Sequence, residues 1–216
     1  SSAPLKSWFY AMFLFTTSKN GVSAKELERH LGVSYKCAWR IARQIRILMG
    51  LNKAPQLKGI VEADETYVGG KGRNNRRGRG AENKTPVFGM VEREGNVVAY
   101  AVPNVKTSTV MPIIKHHVAP KTNMMTDEYR IYNKLSAEGY YHRRVQHGTK
   151  EYVRGFAHTN TIEGFWSQLK RSIDGTHHSV SSKHLQLYVN EYAWRYNYRH
   201  EKNLFPILVD SFGKPS

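Results

Sequence analysis

The chain has 216 residues, with 33 Lys+Arg against 17 Asp+Glu and a formal net charge of +16, a length that suits one full domain plus a small module. Hydrophobic residues at 40% and aromatics at 12% suffice for a core and exclude a wholly disordered chain, while the single cysteine, Cys37, excludes a disulfide framework and a cysteine-only zinc site. The most apolar early run, Trp8 to Phe15, spans eight residues against the ~20 that a membrane span needs; the expectation is a soluble cytoplasmic chain with no membrane partner, whose excess charge faces nucleic acid.

The first fifty residues read as helices. Leu5 to Thr17 places Trp8, Met12 and Phe15 at helical spacing. Ser23-Ala24-Lys25-Glu26 has the form of a capping box, and the short helix after it stops at Gly32. Ser34 then caps a longer helix whose apolar positions are Ala38, Ile41, Ile45 and Leu48. Two helices about a tight glycine turn make a helix-turn-helix module over residues 1–50. On its second helix Lys36, Arg40 and Arg43 recur at i, i+4 and i+7, the basic face that major-groove entry requires, or else the solvated basic side of a small helical bundle.

Residues 51–58, with Pro55, read as a linker, and 59–216 as a second domain. Ile60 to Val68 is a strand of β-branched and aromatic residues interleaved with acids; Val87 to Arg93 and Val97 to Val102 flank Glu94-Gly95-Asn96 as a hairpin. Between them lies KGRNNRRGRG, Lys71 to Gly80, whose Arg73, Arg76, Arg77 and Arg79 point to a phosphate clamp on a mobile arm, or to a solvated loop that keeps a sheet edge soluble. Thr107 to Val118 predicts a helix in which Pro112 occupies the first turn or makes a kink. Asn123 to Thr126 is a strand ending at Asp127, and Arg143 to His147 a weaker one. Helices from about Asn160 to Ile173 and Ser182 to Arg199 follow, with Tyr188, Tyr192 and Tyr196 assigned to the core. The order of elements predicts a mixed α/β domain.

In so basic a chain, clustered carboxylates are informative. Glu62 and Asp64 share one face of their strand and Glu65 takes the other. Asp127 sits at a strand end, where α/β sheets place functional residues. Glu163 lies in the first turn of its helix, with Ser167 and Lys170 on the same side, away from the stripe of Ile162, Phe165, Trp166, Leu169 and Ile173. Three carboxylates on two strands and a helix can hold two Mg²⁺ ions, which favour oxygen ligands and assist in-line phosphoryl transfer. The structural alternatives are Glu163 as the capping-box partner of Asn160, and Asp127 as the cap of a turn before Tyr129. The histidines space poorly for zinc, since His116-His117 and His177-His178 are adjacent pairs; His147 and His158 flank the approach to Glu163.

ADETYVGGK (Ala63 to Lys71), TDEYRIYN (Thr126 to Asn133) and HTNTIEGFWSQLKR (His158 to Arg171) resemble three blocks of the IS1595-type insertion-sequence transposases, whose domain is called ISXO2-like and is related to the Merlin transposases. The resemblance implies a ribonuclease-H-like mixed sheet with flanking helices behind the helix-turn-helix module. It implies a DDE transposase that uses two Mg²⁺ (or Mn²⁺) ions to cut double-stranded DNA at the element's terminal repeats and to join the freed ends to target DNA. The catalytic set carries over onto Asp64, Asp127, Glu163 and Lys170, separated by 63, 36 and 7 residues. Asp64, Asp127 and Glu163 would hold metal, Asn160 would act as a ligand or orienter, and Arg171 would grip the backbone. A homodimer or higher oligomer on DNA, associated with the nucleoid, is implied as well. Members usually carry a cysteine zinc ribbon ahead of the helix-turn-helix, which a chain with only Cys37 cannot form. The alternatives are an inactive or domesticated DNA-binding copy and a simple Mg²⁺ nuclease.

Overall fold

The computed structural model describes residues 3–51, 54–69, 84–145 and 158–211. They fall into two compact units, Ser1–Lys53 with Arg171–Ser216, and Ala54–Lys170. The arm from Lys71 to Gly80, with Arg73, Arg76, Arg77 and Arg79, lies outside the described residues, as does His147.

In the first unit, α1 (Leu5–Thr17), α2 (Ala24–Leu31) and α3 (Tyr35–Leu51) form as their sequences predict. The Ser23 hydroxyl accepts from the Glu26 amide at 3.1 Å, completing the cap of α2. Gly32 closes α2 at φ +62°, a left-handed conformation that glycine adopts without strain, so α3 can start three residues later. The core of this unit joins Met12 and Phe15 of α1, Leu27 of α2 and Ile41, Ile45 and Met49 of α3 to Trp194 and Leu208. Those last two belong to α6 (Ser182–Asn197) and α7 (Leu204–Asp210). The C-terminal helices therefore pack with the N-terminal ones, whereas the sequence groups everything from residue 59 into one domain. Buried Glu191 of α6 ties this bundle together, accepting from Arg46 at 2.8 Å and from Arg195 at 2.8 Å. Burial alone would raise the Glu191 pKa, but the two guanidinium groups hold it below the usual carboxylate range.

The second unit is built on a five-stranded sheet in the order β3-β2-β1-β4-β5. Its strands are β1 (Ile60–Val68), β2 (Thr85–Glu92), β3 (Val97–Ala101), β4 (Asn123–Thr126) and β5 (Tyr141–Arg144). β1, β2 and β3 are antiparallel; β4 joins β1 in parallel and β5 joins β4 in parallel. This is a mixed sheet with flanking helices, as the sequence predicts. β5 begins two residues before the predicted strand. One sheet face, through Val61, Ala63, Phe88 and Met90, packs on Val110, Met111 and Ile114 of α4 (Thr107–His117). Pro112 stands inside α4, past its first turn, so the first-turn position, one of the two that the sequence leaves open, is not the one it takes. α5 (Asn160–Ser172) carries buried Ile162, Phe165, Trp166 and Leu169. A π-turn, Ile173–His177, continues α5 beyond the end that the sequence predicts. Among the described residues no helix is long and apolar enough to cross a membrane.

Candidate active site

β1 outruns its neighbour. Its pairing with β4 runs from Ile60↔Asn123 to Glu62↔Met125, and β4 stops at Thr126 while β1 continues to Val68. Asp127 occupies the step so formed. There, one carboxylate oxygen from each of Asp64, Glu65 and Asp127 lies within 4.8 Å of the others. Alternation along β1 does send Asp64 and Glu65 to opposite faces, but beyond the end of β4 no backbone separates the two faces. The sequence reading leaves Glu65 out of the site for that reason.

Each of these acids is held by a donor. The Trp166 indole N–H donates to Asp64 Oδ2 at 3.0 Å, and the Tyr132 hydroxyl to Glu65 Oε2 at 3.0 Å. The Tyr129 amide donates to Asp127 Oδ1 at 2.9 Å, which is the turn-capping bond foreseen for Asp127, made while the residue takes its place in the cluster. Burial raises the Asp64 pKa from 3.8 to about 6; the backbone of Glu65 and the indole oppose the rise, while the charges of Asp127 and Glu163 add to it. Burial, followed by the charges of Glu65, Asp64 and Asp127, pushes Tyr132 well above the usual phenol range, so it remains a protonated donor.

Trp166 reaches Asp64 because the sheet is bare beneath it. Gly89 of β2 stands directly opposite Asp64 in register, and a Cβ at Gly89 would lie 2.5 Å from the Trp166 ring. The indole therefore lies against backbone.

Two residues from Asp64, Glu62 is fully buried. Its Oε1 accepts from Arg93 Nε at 2.7 Å and from Thr161 Oγ1 at 3.0 Å; its Oε2 accepts the amides of Thr161 at 2.8 Å and Ile162 at 3.1 Å. His158 Nδ1 lies 3.3 Å from Oε1, and Arg93 Nη2 donates to the His158 carbonyl at 2.9 Å. Two first-turn amides of α5, which have no partners within the helix, are thus satisfied from β1. Glu62, Arg93 and His158 clamp the start of α5 to the strand that carries Asp64. The sequence reading assigns no such role to Glu62 or Arg93.

Glu163 is exposed in the first turn of α5 and lies outside the three-acid cluster, though its charge acts on Asp64. Its Oε1 accepts from Thr159 Oγ1 at 3.0 Å, and its amide donates to the Thr159 carbonyl at 3.1 Å. Thr159, not Asn160, is therefore the capping partner; Asn160 is the exposed first residue of the helix. Ser167 and Lys170 follow Glu163 along one exposed face, with Ser167 Oγ donating to the Glu163 carbonyl at 3.0 Å, and Arg171 is also exposed. On α3, Lys36 and Arg40 are exposed and Arg43 is half-buried.

Residues 56–197 match the ISXO2-like transposase domain family. An uncharacterized protein in the transposable element ISH50 of Halobacterium salinarum is 32% identical over 90% of this chain and 70% of its own length. An uncharacterized transposase-like protein of Haemophilus influenzae is 32% identical over 52% of this chain and 89% of its own. Among solved structures, a pre-cleavage Mos1 transpososome aligns at 11% identity and a TM-score of 0.36, covering 100% of this chain and 82% of the other. The Mos1 Strand Transfer Complex aligns at 10% identity and a TM-score of 0.33, covering 100% and 81%. Both structural likenesses are distant.

Proposed function

Because this chain belongs to the ISXO2-like transposase family, we propose that it cuts DNA at the ends of a mobile element and joins the freed 3′-hydroxyls to target DNA. The observation that carries this reading is the convergence of Asp64, Glu65 and Asp127 within 4.8 Å in a chain of net charge +16. Burial first, and then the charges of Asp127 and Glu163, raise the Asp64 pKa, so ionised acids this close carry a cost. An oxygen-only donor set of this kind fits Mg²⁺ or Mn²⁺. Asp64 and Asp127 would hold two such ions, with Glu163, Asn160 or Glu65 completing the set. When bound, a pair of divalent ions stabilises the charge on the attacking and leaving oxygens of an in-line displacement.

The remaining work falls to the protein's own side chains. Trp166, Tyr132 and the Tyr129 amide fix the directions of the three acids. Glu62 and Arg93 hold the first turn of α5, and with it Glu163, beside β1. Lys170 contacts phosphate near the cut. Lys36, Arg40 and Arg43 of α3 read the terminal repeat, while Arg73, Arg76, Arg77, Arg79 and Arg171 grip the DNA backbone. Two element ends call for at least two copies of the chain, hence a homodimer or larger assembly on the nucleoid.

The test is incubation with Mg²⁺, a labelled terminal-repeat duplex and a target plasmid, scoring nicked and joined products. Asp64→Asn should abolish both products and leave duplex binding intact or strengthened, since a negative charge facing phosphate is removed. Equal nicking by Asp64→Asn and the parent would place the chemistry elsewhere.

A further inference from the structure

The helical unit contains a cavity of about 510 Å³ that none of these roles uses. It is walled by the N-terminal end of α2, the start of α3, and the segment from Thr176 into α6. Its aromatic walls are Tyr35, Trp39 and Tyr188, its cations are Lys25 and Arg29, and no described residue lining it is acidic. The volume lies within the ~300–1,000 Å³ usual for small-ligand pockets.

The walls are braced from behind. The Arg46 guanidinium stacks 4.2 Å from the Tyr188 ring centroid while its Nε is bonded to buried Glu191. Trp39 meets His184 edge-on at 5.2 Å, and His177 meets Tyr188 at 4.7 Å. Burial, then the Arg46 charge, lowers the His177 pKa to about 4, so at neutral pH it contributes an uncharged ring. The backbone along this wall is unusual: His177 ends the π-turn and His178 sits at φ +59°, a conformation costly for a residue with a Cβ. π-Turns occur mostly as single-turn insertions, frequently at functional sites.

Fixed aromatic faces beside two cations, one of which, Lys25, is paired with Glu28 outside the lining, match one ligand chemistry closely. A nucleobase has a face to stack, and its phosphate carries charge to pair. A simple anion would have no use for the rings, and an apolar ligand none for Lys25 and Arg29. We propose that this cavity receives a single unstacked DNA nucleotide, its base against Trp39 and Tyr188 and its phosphate against Lys25 and Arg29. The inference rests on the proposed function only in taking DNA as the substrate; it adds a place where one nucleotide is held out of the helix.

Binding is measured by fluorescence anisotropy in EDTA, with a labelled twelve-nucleotide oligothymidylate and a labelled blunt duplex. Trp39→Ala should weaken single-strand binding about 5- to 150-fold, the range for loss of one base–aromatic stack, with duplex binding within about twofold of the parent. Trp39→Phe, which keeps a ring, should restore most of the loss. The double variant Lys25→Ala, Arg29→Ala alters only exposed side chains; it should flatten the log–log salt dependence for the single strand by about 1.4 units, at ~0.7 per contact. Single-strand affinity and salt slope equal to the parent's in both variants would overturn the proposal, as would equal losses for single strand and duplex. Should Trp39→Ala fail to fold by circular dichroism, the double variant's slope decides alone. Asp64→Asn in the same assay separates the two readings: it should bind oligothymidylate as the parent does, and that result holds whether or not either protein nicks DNA.

Discussion

Replacing Glu62 with Gln tests whether the clamp at the start of α5 holds the site together. The glutamine keeps one carbonyl oxygen but presents an NH₂ group to Arg93 or to the amides of Thr161 and Ile162, all of which are donors. It also removes the carboxylate that pairs with the largely buried Arg93 guanidinium. Removing one partner of a buried ion pair costs about 3–5 kcal/mol. For a chain of this size each kcal/mol corresponds to roughly 2–4 °C in melting temperature, so the fall should be about 6–20 °C. Circular dichroism on heating measures it. Mg²⁺-dependent nicking should fall in the folded variant at low temperature too, although no proposed metal ligand has changed, because the turn carrying Glu163 is loosened. Arg93→Leu alone and the double change close a mutant cycle, and the two residues should couple by about 0.5–3 kcal/mol. A melting temperature within 1–2 °C of the parent, about the effect of 0.5 kcal/mol, with nicking undiminished, would refute the reasoning; α5 would then be held by its apolar stripe alone.

Without divalent metal, Asp64→Asn should stabilise the fold at neutral pH. A carboxyl whose pKa rises from 3.8 to about 6 on folding disfavours the folded state once it is ionised, a cost absent below pH 4, growing between 4 and 6 and full above 6. The difference corresponds to about 1–3 kcal/mol, the lower end allowing for solvent screening, and urea midpoints at pH 4 and pH 7.5 should show the variant's advantage only at the higher pH. Arg40→Ala should narrow the gap between terminal-repeat and scrambled duplexes by ~1–3 kcal/mol, if that side chain makes a bidentate base contact. Arg76→Ala with Arg77→Ala should weaken binding to both duplexes alike and flatten the salt slope by roughly 1.8 units. Salt titrations on both duplexes check the pair, and loss of discrimination by the arm variant alone would reverse the two assignments.

Legibility in the sequence follows the range of the interaction. The Ser23–Glu26 cap and the Gly32 stop depend on neighbours within a turn, and helices α1 to α3 stand where those signals put them. Asp64 and Asp127 were readable as acids at strand positions in a basic chain, and they do meet. Strict alternation sends Glu65 to the far face, but it stops separating residues where β4 ends. Glu62 looked like one more acid, because its partners Arg93 and Thr161 stand 31 and 99 residues away and no local pattern announces them. The same applies to α6 and α7, whose apolar stripes say that they are buried but not against what. Helical spacing puts Tyr188 in the core, whereas it walls a cavity, a distinction that helical periodicity does not make.

The bare backbone at Gly89 has a consequence for how copies of such a gene decay. Judging whether a copy still works usually means counting acids, and here every acid could survive while the enzyme fails. A mutation of Gly89 to alanine adds one methyl group where the Trp166 ring lies at 2.5 Å. The indole must move, taking with it the N–H that holds Asp64. A single nucleotide change is enough to turn a glycine codon into an alanine codon. A silenced element of this kind would keep its charge, its N-terminal helices and its complete set of carboxylates. An inventory of intact copies in a genome should therefore score the residue paired with the first aspartate as carefully as the aspartate itself.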